Sequence, residues 1–426
     1  MHKNISNMRH FISYIMLAIA AISCSKHEEA SVSDYQLEEG RRTVIVYMAG
    51  ENNLSSIANN DVNEMMRGTN SMSKEDRLIC FIDKASNEPP FILSLSDGKR
   101  DTVMRYSQDF YSCNPDTFRN IINTIVKRFP SKEYGLVLWG HATGWLMRTD
   151  TCKTTTEAQA RRKAYGADTG TNLEYSVGQR WMNITQMAQA LKHVPHLRFI
   201  FADCCCMMCA EAAYELRNAA DYLIGSPAEI PMDGGPYQLL VKHLFDQSDD
   251  FYKGLIDEYF DYYLNNYQSE NFQTSNLNNR YLAGHSVPFS VVDLRKMDAL
   301  ADATRPYYSL FQENFNTDSL VFYYAEDYPV MYDMKSLMEK AIQPDEYATW
   351  TSVLDEAVVY SRFSAKWMTV CMKIRQQQIS EAYHFNEQNY GGISMFIANP
   401  AYNYSSTYDY NQRIKQLSWY WTLSQP

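Results

Sequence analysis

The sequence predicts an α/β protein in which a mainly parallel sheet lies between two layers of helices. Several short runs rich in β-branched residues are apolar at consecutive positions, which is typical of strands buried on both faces. These runs alternate with stretches of helical period, as strand–helix–strand units require. The chain of 426 residues is 45% hydrophobic and 14% aromatic, so it can bury a large core.

The predicted elements follow one another in a regular order. The strands are residues 43–49, 78–82, 135–139, 197–202 and 222–224, and the crossover helices are residues 117–129, 184–194 and 210–219. Beyond residue 235 follow tyrosine-rich amphipathic stretches at residues 237–267 and 347–360, a strand at residues 391–397 and an aromatic helix around residues 419–421. We therefore predict an α/β core over residues 43–235 and a C-terminal α/β region over residues 236–426 that packs on it.

The N-terminal residues resemble an export signal. Lys3 and Arg9 precede an apolar run at residues 11–22, which is shorter than the roughly 20 residues that a membrane-spanning helix needs. The run ends in Ala-Ile-Ser at residues 21–23 before Cys24, which is similar to a bacterial lipobox. The alternative is an ordinary signal peptide with an incidental cysteine.

From this resemblance we predict that residues 1–24 are a lipoprotein signal peptide in which Cys24 is lipidated. The polar, aperiodic residues 25–42 are expected to form a flexible tether. The expected location is an outer membrane, on its periplasmic or its cell-surface side.

Net charge limits the partners of the chain. Lys and Arg number 39 against 50 Asp and Glu, a formal net charge of −11. Because nucleic acid is bound by a basic face, this balance disfavours nucleic acid as a partner. A local acidic pocket for basic substrates is compatible with the same balance.

Two reactive side chains follow predicted strands. His141 comes after the strand at residues 135–139, and Cys205 after the strand at residues 197–202. Loops at the carboxyl ends of parallel strands converge, so this fold class can bring the two together. A cysteine thiolate attacks amides, and an imidazole can activate it and later protonate the leaving amine. The pair indicates acyl transfer, although each residue taken alone is more often a surface histidine or an inert core cysteine.

The backbone around these residues suits the same chemistry. Gly140 and Gly144 allow the histidine loop to bend sharply. The N–H groups of Gly140, Ala142 and Cys205 are candidates for stabilising the tetrahedral oxyanion. A helix that begins just after Cys205 would add the positive end of its dipole, which favours a thiolate.

The residues around Cys205 carry a more specific signal. Residues 203–216 read Asp-Cys-Cys-Cys-Met-Met-Cys-Ala-Glu-Ala-Ala-Tyr-Glu-Leu. This run resembles the nucleophile segment of the clostripain family of cysteine peptidases (peptidase family C11), Asp-x-Cys-Leu-Met followed by Glu and Ala-Tyr-x-Leu. Further matches occur in the family's order at residues 43–54, 139–141, 225–237, 392–394 and 417–419. Each match alone is weak, whereas the set is specific and spans about residues 43–421.

The resemblance implies a caspase-like three-layer fold, a Cys-His dyad and cleavage after Arg or Lys, here in a lipoprotein member of the Bacteroidetes type. Carried over by position, Cys205 is the nucleophile, His141 the general acid and base, and Asp203 the acidic wall for a basic P1 side chain. A carboxylate pairs bidentately with a guanidinium, which favours Arg over Lys. The alternative for Asp203 is a helix cap for a segment that begins near Cys206.

Two features depart from the family pattern. Ala142 stands where the family has glycine, and because alanine tolerates a positive φ poorly, the geometry of the oxyanion site is in question. Cys204, Cys206 and Cys209 crowd the nucleophile. These cysteines either form disulfides that silence it or pack as small hydrophobic residues.

The resemblance also bears on activation and on metals. Relatives often activate themselves by cleavage between the histidine and cysteine segments, which implies cleavage within the polar residues 148–172 of this chain. The alternative is that these residues form a solvated basic loop without such a role. The candidate cleavage positions in that loop are Arg148, Arg161, Arg162 and Lys163. Some relatives need calcium, but no compact Asp-x-Asp-x-Asp run marks a site, so the sequence predicts no metal or other cofactor.

Two other functions are compatible with the sequence. Cys206 and Cys209 have the C-x-x-C spacing of thiol oxidoreductases and zinc sites, but they lack a thioredoxin-like context and further metal ligands. The second is a catalytically silent lipoprotein that keeps the fold for binding. For a peptidase, the expected partners are peptides or proteins with Arg or Lys at P1, together with the membrane that holds the lipid anchor.

Overall fold

The computed structural model describes residues 38–147, 165–171, 179–267, 285–311, 314–325, 328–364, 366–367, 390–403 and 409–425. The described residues belong to one compact unit. The predicted signal peptide with Cys24 lies outside the described residues, as do the cleavage candidates Arg148, Arg161, Arg162 and Lys163. No helix among the described residues is both long and apolar enough to cross a membrane.

Strands and helices alternate along most of the described chain. The strands are β1 (Gly40–Gly50), β2 (Arg77–Lys84), β3 (Phe91–Ser96), β4 (Lys99–Arg105), β5 (Ser131–Gly140), β6 (Tyr165–Asp168), β7 (Arg180–Met182), β8 (Leu197–Asp203), β9 (Ala220–Gly225), β10 (His285–Ser286), β11 (Phe289–Asp293), β12 (Phe322–Ala325), β13 (Pro329–Asp333), β14 (Val358–Arg362), β15 (Lys366–Trp367) and β16 (Ser394–Met395). The α-helices are α1 (Ser55–Gly68), α2 (Pro115–Arg128), α3 (Ile184–Leu191), α4 (Ala210–Leu216), α5 (Tyr237–Leu244), α6 (Tyr252–Tyr267), α7 (Met297–Tyr308), α8 (Met334–Ala341), α9 (Pro344–Ala357), α10 (Tyr410–Arg413) and α11 (Ser418–Ser424).

The central sheet has nine strands in the order β14-β11-β9-β8-β5-β1-β2-β3-β4. From β9 to β2, each strand runs parallel to the next. Antiparallel strands extend both edges, β3 and β4 beyond β2, and β11 and β14 beyond β9. The prediction of a mainly parallel sheet is confirmed, and strands from beyond residue 235 belong to the same sheet.

Strand β1 shows why the centre of this sheet is apolar at consecutive positions. Ile45 and Tyr47 belong to the core on one face, Val44 and Val46 to the core on the other, and all are fully buried. Helices α2, α3, α4 and α7 contribute to the first core, and helices α1, α5 and α6 to the second. The predicted three-layer α/β fold is thereby confirmed.

The C-terminal region differs from the prediction in three places. Residues 237–267 form two helices, α5 and α6, because the polar residues Asp-Gln-Ser-Asp-Asp at 246–250 favour a turn between them. Residues 347–360 begin in α9 but end in β14, where the β-branched Val358 pairs with Val292 of β11. Of residues 391–397, only β16 is a strand, and it joins β12 and β13 in a separate three-stranded sheet.

The register of the parallel strands aligns their carboxyl ends. Trp139 of β5 pairs with Asp203 of β8. Ala49 of β1 pairs with Gly140 of β5 on one side and with Asp83 of β2 on the other. The loops after β1, β5 and β8 therefore start at one edge of the sheet, which is the edge where α/β folds bind ligands.

Candidate active site

His141 and Cys205 follow the aligned ends of β5 and β8. Each comes two residues after one member of the register pair Trp139–Asp203, so both leave the sheet at the same level on neighbouring strands. Both side chains are partly exposed. The topology thus brings the two reactive residues singled out in the sequence to one edge of the sheet.

The loops that carry these two residues are in direct contact. Gly144 in the histidine loop has a φ of 59°, and a Cβ at this position would lie 2.4 Å from the carbonyl oxygen of Cys206. Gly140 has a φ of 142°, and a Cβ there would lie 2.9 Å from the carbonyl oxygen of Ala49. Both the backbone conformation and the close approach of neighbouring backbone therefore require glycine at these positions.

Cys205 lies in the loop between β8 and α4. Its Sγ accepts a hydrogen bond from the N–H of Ile230 at 3.4 Å, and the thiol can donate to the carbonyl oxygen of the same residue at 3.9 Å. The N–H of Cys206 donates to the carbonyl oxygen of Ala228 at 2.9 Å. Cys206 has a φ of 60°, which residues other than glycine rarely adopt. Such strain is common at functional loops, and here it falls on the residue next to the candidate nucleophile.

A residue without an assigned role in the sequence pattern orients the imidazole of His141. The Nε2 atom of His141 lies 2.7 Å from Oδ1 of Asn53. Because an amide oxygen can only accept, this contact assigns the ring proton to Nε2 and leaves Nδ1 as the basic nitrogen of the neutral ring. Asn53 comes shortly after β1, so attention to polar residues at strand ends, which identified His141, would also have identified Asn53.

Ala142 occupies the position where the family pattern has glycine. It is not among the described non-glycine residues with a positive φ, so its backbone lies in an ordinary region. Its side chain is buried, and the residue forms an isolated antiparallel bridge with Tyr165. The alanine is therefore accommodated without backbone strain. The oxyanion role of the N–H groups in this loop and at Cys205 stays a prediction.

Asp203 is buried, and its carboxylate already has hydrogen-bond donors. The residue is 3% exposed. Its Oδ2 accepts hydrogen bonds from the hydroxyl of Tyr237 at 2.6 Å and the N–H of Gly235 at 3.0 Å, and its Oδ1 accepts one from the hydroxyl of Tyr259 at 3.1 Å. Burial raises the pKa of Asp203, although these donors oppose the shift. In this conformation Asp203 does not line an open pocket, and its role toward P1 stays a prediction.

Two further carboxylates lie near Asp203. Asp61 accepts a hydrogen bond from Nε1 of Trp139 at 2.6 Å, and burial, together with the charge of Asp203, raises the pKa of Asp61 to about 9. A Cβ at Gly234 would lie 3.1 Å from Oδ2 of Asp203 and 3.3 Å from Oδ2 of Asp61, so both oxygens flank this glycine. Burial also raises the pKa of the adjacent Asp233. None of the largest contributions to these shifts comes from a basic side chain, so the buried Asp61 and Asp203 and the exposed Asp233 form an acidic cluster.

The helix after Cys205 begins at the predicted residue, which is five residues past the cysteine. Helix α4 starts at Ala210 with Cys209 as its N-cap residue. The residues in between instead form hydrogen bonds with the loop at residues 226–228, which keeps them out of the helix. The expectation that a helix dipole supports a thiolate at Cys205 is therefore wrong, and Asp203 is not the cap of this helix.

The cysteines beside Cys205 are part of the core. Cys204, Cys206 and Cys209 are fully buried, and no disulfide joins the described cysteines. Burial raises the pKa of the thiols of Cys204 and Cys209, which disfavours their reactive form. Among the described residues, no cysteine belongs to a group with metal-ligand spacing. These neighbours therefore pack as small hydrophobic residues, as one of the two alternatives held.

Glu211 is a buried carboxyl group that connects helix α4 to the C-terminal region. Its Oε1 accepts a hydrogen bond from the N–H of Phe396 at 2.7 Å. Burial raises its pKa from 4.5 to about 7. The folded protein therefore holds this proton more tightly than the unfolded chain does. As a result, this group makes the free energy of unfolding fall as the pH rises from about 4.5 to about 7.

Replacing Glu211 by glutamine is expected to remove this part of the pH dependence. Glutamine keeps an acceptor for the N–H of Phe396 but carries no charge. At about pH 5, Glu211→Gln should have the same free energy of unfolding as the native protein. At about pH 8, its free energy of unfolding should be higher by up to about 3 kcal/mol. Thermal unfolding across this range measures the difference, with Glu215→Gln on the same helix as a partly exposed control. A Glu211→Gln profile parallel to that of the native protein would contradict the prediction.

Comparison with known proteins identifies one family and several similar folds. The clostripain family model (peptidase C11) matches residues 46–423. A secreted C11 cysteine protease from Bacteroides thetaiotaomicron, solved with an irreversible peptide inhibitor, is 27% identical with a TM-score of 0.72, over 90% of this chain and 99% of that one.

Two further solved structures share this fold at lower identity. An inactive zymogen C11 protease from Parabacteroides distasonis is 24% identical with a TM-score of 0.70, over 91% of this chain and 99% of that one. Iotapain, a secreted C11 cysteine protease from Bacteroides thetaiotaomicron, is 20% identical with a TM-score of 0.69, over 90% of this chain and 99% of that one. No curated protein matches the chain.

Proposed function

The chain belongs to the clostripain family, and on that premise we propose that it is an endopeptidase that cleaves after basic residues through a Cys205–His141 dyad. That it is a cysteine-type peptidase follows from its family and from the solved relative that is 27% identical. The observation that carries the dyad is the shared register of β5 and β8, which places both residues two positions past the pair Trp139–Asp203.

The proposed reaction has two halves. In the first, the thiolate of Cys205 attacks the carbonyl carbon of the scissile bond, and His141 donates a proton to the amine as the C–N bond breaks. The product is a thioester between Cys205 and the acyl part of the substrate. In the second, His141 takes a proton from a water molecule that attacks the thioester, which releases the acid and regenerates the thiol. The N–H of Ile230, 3.4 Å from Sγ, favours the thiolate by donating to it.

Two local features support these roles. Asn53 holds Nε2 of His141, which fixes the plane of the imidazole and leaves Nδ1 for proton transfer. The neighbouring Asn52 anchors this segment, because its Nδ2 donates to the carbonyl oxygens of Ala49 at 3.1 Å and Ala167 at 2.6 Å. The tetrahedral oxyanion would be stabilised by N–H groups of the histidine loop and of Cys205.

The acidic cluster of Asp61, Asp203 and Asp233 supports a basic P1 side chain. Burial and mutual repulsion disfavour the charged forms of Asp61 and Asp203, and a cation that enters beside them would offset that cost. Asp203 comes two residues before the proposed nucleophile, so a side chain of the residue that is being cleaved can reach this cluster. A guanidinium pairs bidentately with a carboxylate, which favours Arg over Lys.

Entry of such a side chain requires a local movement. Asp203 is 3% exposed, and the N–H of Gly235 donates to it, so the backbone at this glycine has to shift before a P1 side chain can reach the carboxylate. We attribute this opening to cleavage within residues 148–172, at one of the basic positions in that loop. Strand β6, within this stretch, contacts the histidine side of the site, since the N–H of Gly166 donates to the carbonyl oxygen of His141 at 2.8 Å. A cut before Gly166 would release this constraint.

Export and anchoring complete the proposal. The solved relative that is 27% identical is described as secreted. In this chain the lipobox-like residues 21–24 supply a signal for export, with Cys24 as the lipid anchor. The peptidase would then act at an outer membrane on peptides or proteins that reach it.

Fluorogenic peptides that differ only at P1 test this function. Arg, Lys, Asp and citrulline are compared, because citrulline has the shape of Arg without its charge. We expect kcat/KM for Arg to exceed that for citrulline by at least about 100-fold. Equal rates for Arg and citrulline, or faster cleavage after Asp, would refute a basic P1 specificity. No turnover of any peptide by folded, reduced protein, before or after limited proteolysis in the 148–172 loop, would refute the dyad.

A further inference from the structure

A cavity lies among the helices of the C-terminal region, outside the candidate active site. Its volume is about 670 Å³, within the range of about 300–1,000 Å³ that is typical of small-molecule sites. Its walls come from α7, α10 and α11, from the residues next to these helices and from the segment after β16. The residues that line it include no member of the dyad, the proposed oxyanion site or the acidic cluster. A ligand in this cavity would therefore occupy a site separate from that of a cleaved peptide.

Aromatic side chains give the cavity flat apolar walls. Tyr308 of α7 and Tyr420 of α11 both line it, and their ring centroids are 6.2 Å apart. Both residues are partly exposed, so their rings are accessible to a ligand. The buried Phe311 and Phe396 continue the same lining. Because rings stack on such surfaces, these walls favour a ligand with a flat apolar body.

The charged residues of the lining favour an anion. Arg305 and Lys415 line the cavity, and no Asp or Glu is among its described lining residues, although the chain has a net charge of −11. Arg305 is already paired with Asp302. Lys415 is exposed and donates to a neutral partner, Oε1 of Gln412, at 3.2 Å, so this contact does not neutralise its charge. Lys415 is therefore available to pair with one anionic group.

We propose that this cavity binds an amphipathic anion, a flat apolar ring system that carries one carboxylate or sulfonate group. The rings would lie against Tyr308 and Tyr420, and the anionic group would pair with Lys415. The side chains of Gln412 and Ser424, which also line the cavity, offer hydrogen-bond donors for the remaining oxygens. Binding at this site does not depend on the proposed peptidase specificity.

One wall of the cavity contacts both loops of the candidate active site. The N–H of Phe396 donates to Oε1 of Glu211, in the helix that follows the Cys205 loop, at 2.7 Å. The ring of Phe396 packs against that of Trp145 in the histidine loop, with centroids 4.8 Å apart. Since Phe396 lines the cavity, a bound ligand would hold it in place. Occupancy is therefore expected to reduce local opening at the point where the two loops meet the C-terminal region.

Two fluorescent probes test the site in protein that carries Cys205→Ala, so that self-cleavage plays no part. Anilinonaphthalene sulfonate has both the rings and the anionic group, and phenylnaphthylamine has the same rings without the sulfonate. We expect the sulfonate to bind at a single site, at least about 10-fold more tightly than the amine. Equal affinities of the two probes, or binding of the sulfonate only at many weak sites, would overturn the proposal.

Three variants in the same background locate the probe. Lys415→Gln should weaken binding of the sulfonate by about 10-fold and leave that of the amine unchanged, because only the charge is removed. Ser424→Trp, at an exposed position of the lining, fills part of the cavity and should weaken both probes. Lys127→Gln removes the same charge from the exposed side of α2 and should bind both probes as its parent does. Unchanged binding of the sulfonate to folded Lys415→Gln would overturn the proposal, and Ser424→Trp decides if that variant does not fold.

Hydrogen exchange tests the contact with Phe396. With the sulfonate at about tenfold above its Kd, the amide of Phe396 should exchange about 10-fold more slowly, because the ligand must leave before this wall can open. Mass spectrometry of fragments that cover residues 394–398 measures this rate, and fragments from β4, which lies outside the lining, serve as the control. An unchanged rate at Phe396 in protein saturated with the probe would overturn the placement of the ligand against this wall.

Discussion

Replacing Cys205 by alanine is expected to lower kcat/KM for peptides with Arg at P1 by at least about 10⁴-fold. Without the thiol no thioester forms, and the remaining groups can only assist direct attack by water. The protein should keep its fold, because Cys205 lies in a loop and is partly exposed. Steady-state rates with the Arg peptide, together with thermal unfolding of the same preparation, measure both quantities.

Cys204 provides the matched control for this substitution. It precedes Cys205 directly but is fully buried in the core, so Cys204→Ala should retain turnover while it lowers the Tm slightly. His141→Ala should lower kcat/KM less than Cys205→Ala does, by about 10²-fold to 10⁴-fold, because proton transfer is lost while the thiol remains. Substantial activity in Cys205→Ala, or its loss in a folded Cys204→Ala protein, would assign the nucleophile to another residue.

Replacing Asp203 by asparagine is expected to give the second large effect, a loss of about 10²-fold to 10³-fold in kcat/KM for the Arg peptide. The substitution keeps the volume of the side chain but removes the charge that would pair with the guanidinium. It should affect cleavage after citrulline far less, so the ratio of the two rates collapses. Rates with the two peptides measure this ratio, which a general loss of folded protein would not change.

Tyr259→Phe is the control for the hydrogen-bond network around Asp203. It removes the hydroxyl that donates to Oδ1 of Asp203 at 3.1 Å and leaves the carboxylate in place. This variant should therefore keep the preference for Arg over citrulline. If Asp203→Asn keeps that preference as well, the basic specificity comes from another residue, and Asp203 has a structural role only.

The buried strands of the central sheet were predictable because the sequence features that indicate them are local. The strands β1, β2, β5, β8 and β9 all occur where consecutive apolar residues predicted them. Each is covered by helices on both faces, so burial alone determines its pattern. The helices between them begin within two residues of the predicted starts, since caps such as Asn114 and Asn183 are local features too.

The edges of the sheet were not predictable in the same way. Strand β4 begins with the exposed residues Lys99, Arg100 and Asp101, which have no apolar face to reveal a strand. It exists because it pairs with β3 from Ser96 to Phe91, with a shift of register between Leu93 and Ile92. Strand β14 likewise depends on its pairing with β11. Interactions between distant segments, rather than local preference, determine these strands.

The candidate site likewise has some features that the local sequence predicts and others that depend on distant contacts. His141 and Cys205 could be singled out because each comes just after a predictable strand. The burial of Asp203 could not, because it follows from contacts with residues 235–237, which are distant in the sequence.

Contacts with the C-terminal part of the chain determine when the loop that carries Cys205 can finish folding. The N–H of Ser394 donates to the carbonyl oxygen of Met208 at 3.1 Å, and that of Phe396 donates to Glu211 across a separation of 185 residues. Such contacts form late, because a long loop must close first. During synthesis, the loop that carries Cys205 therefore lacks these two hydrogen bonds until almost the whole polypeptide has been made. The segment that carries the proposed nucleophile is therefore among the last parts of the fold to be completed.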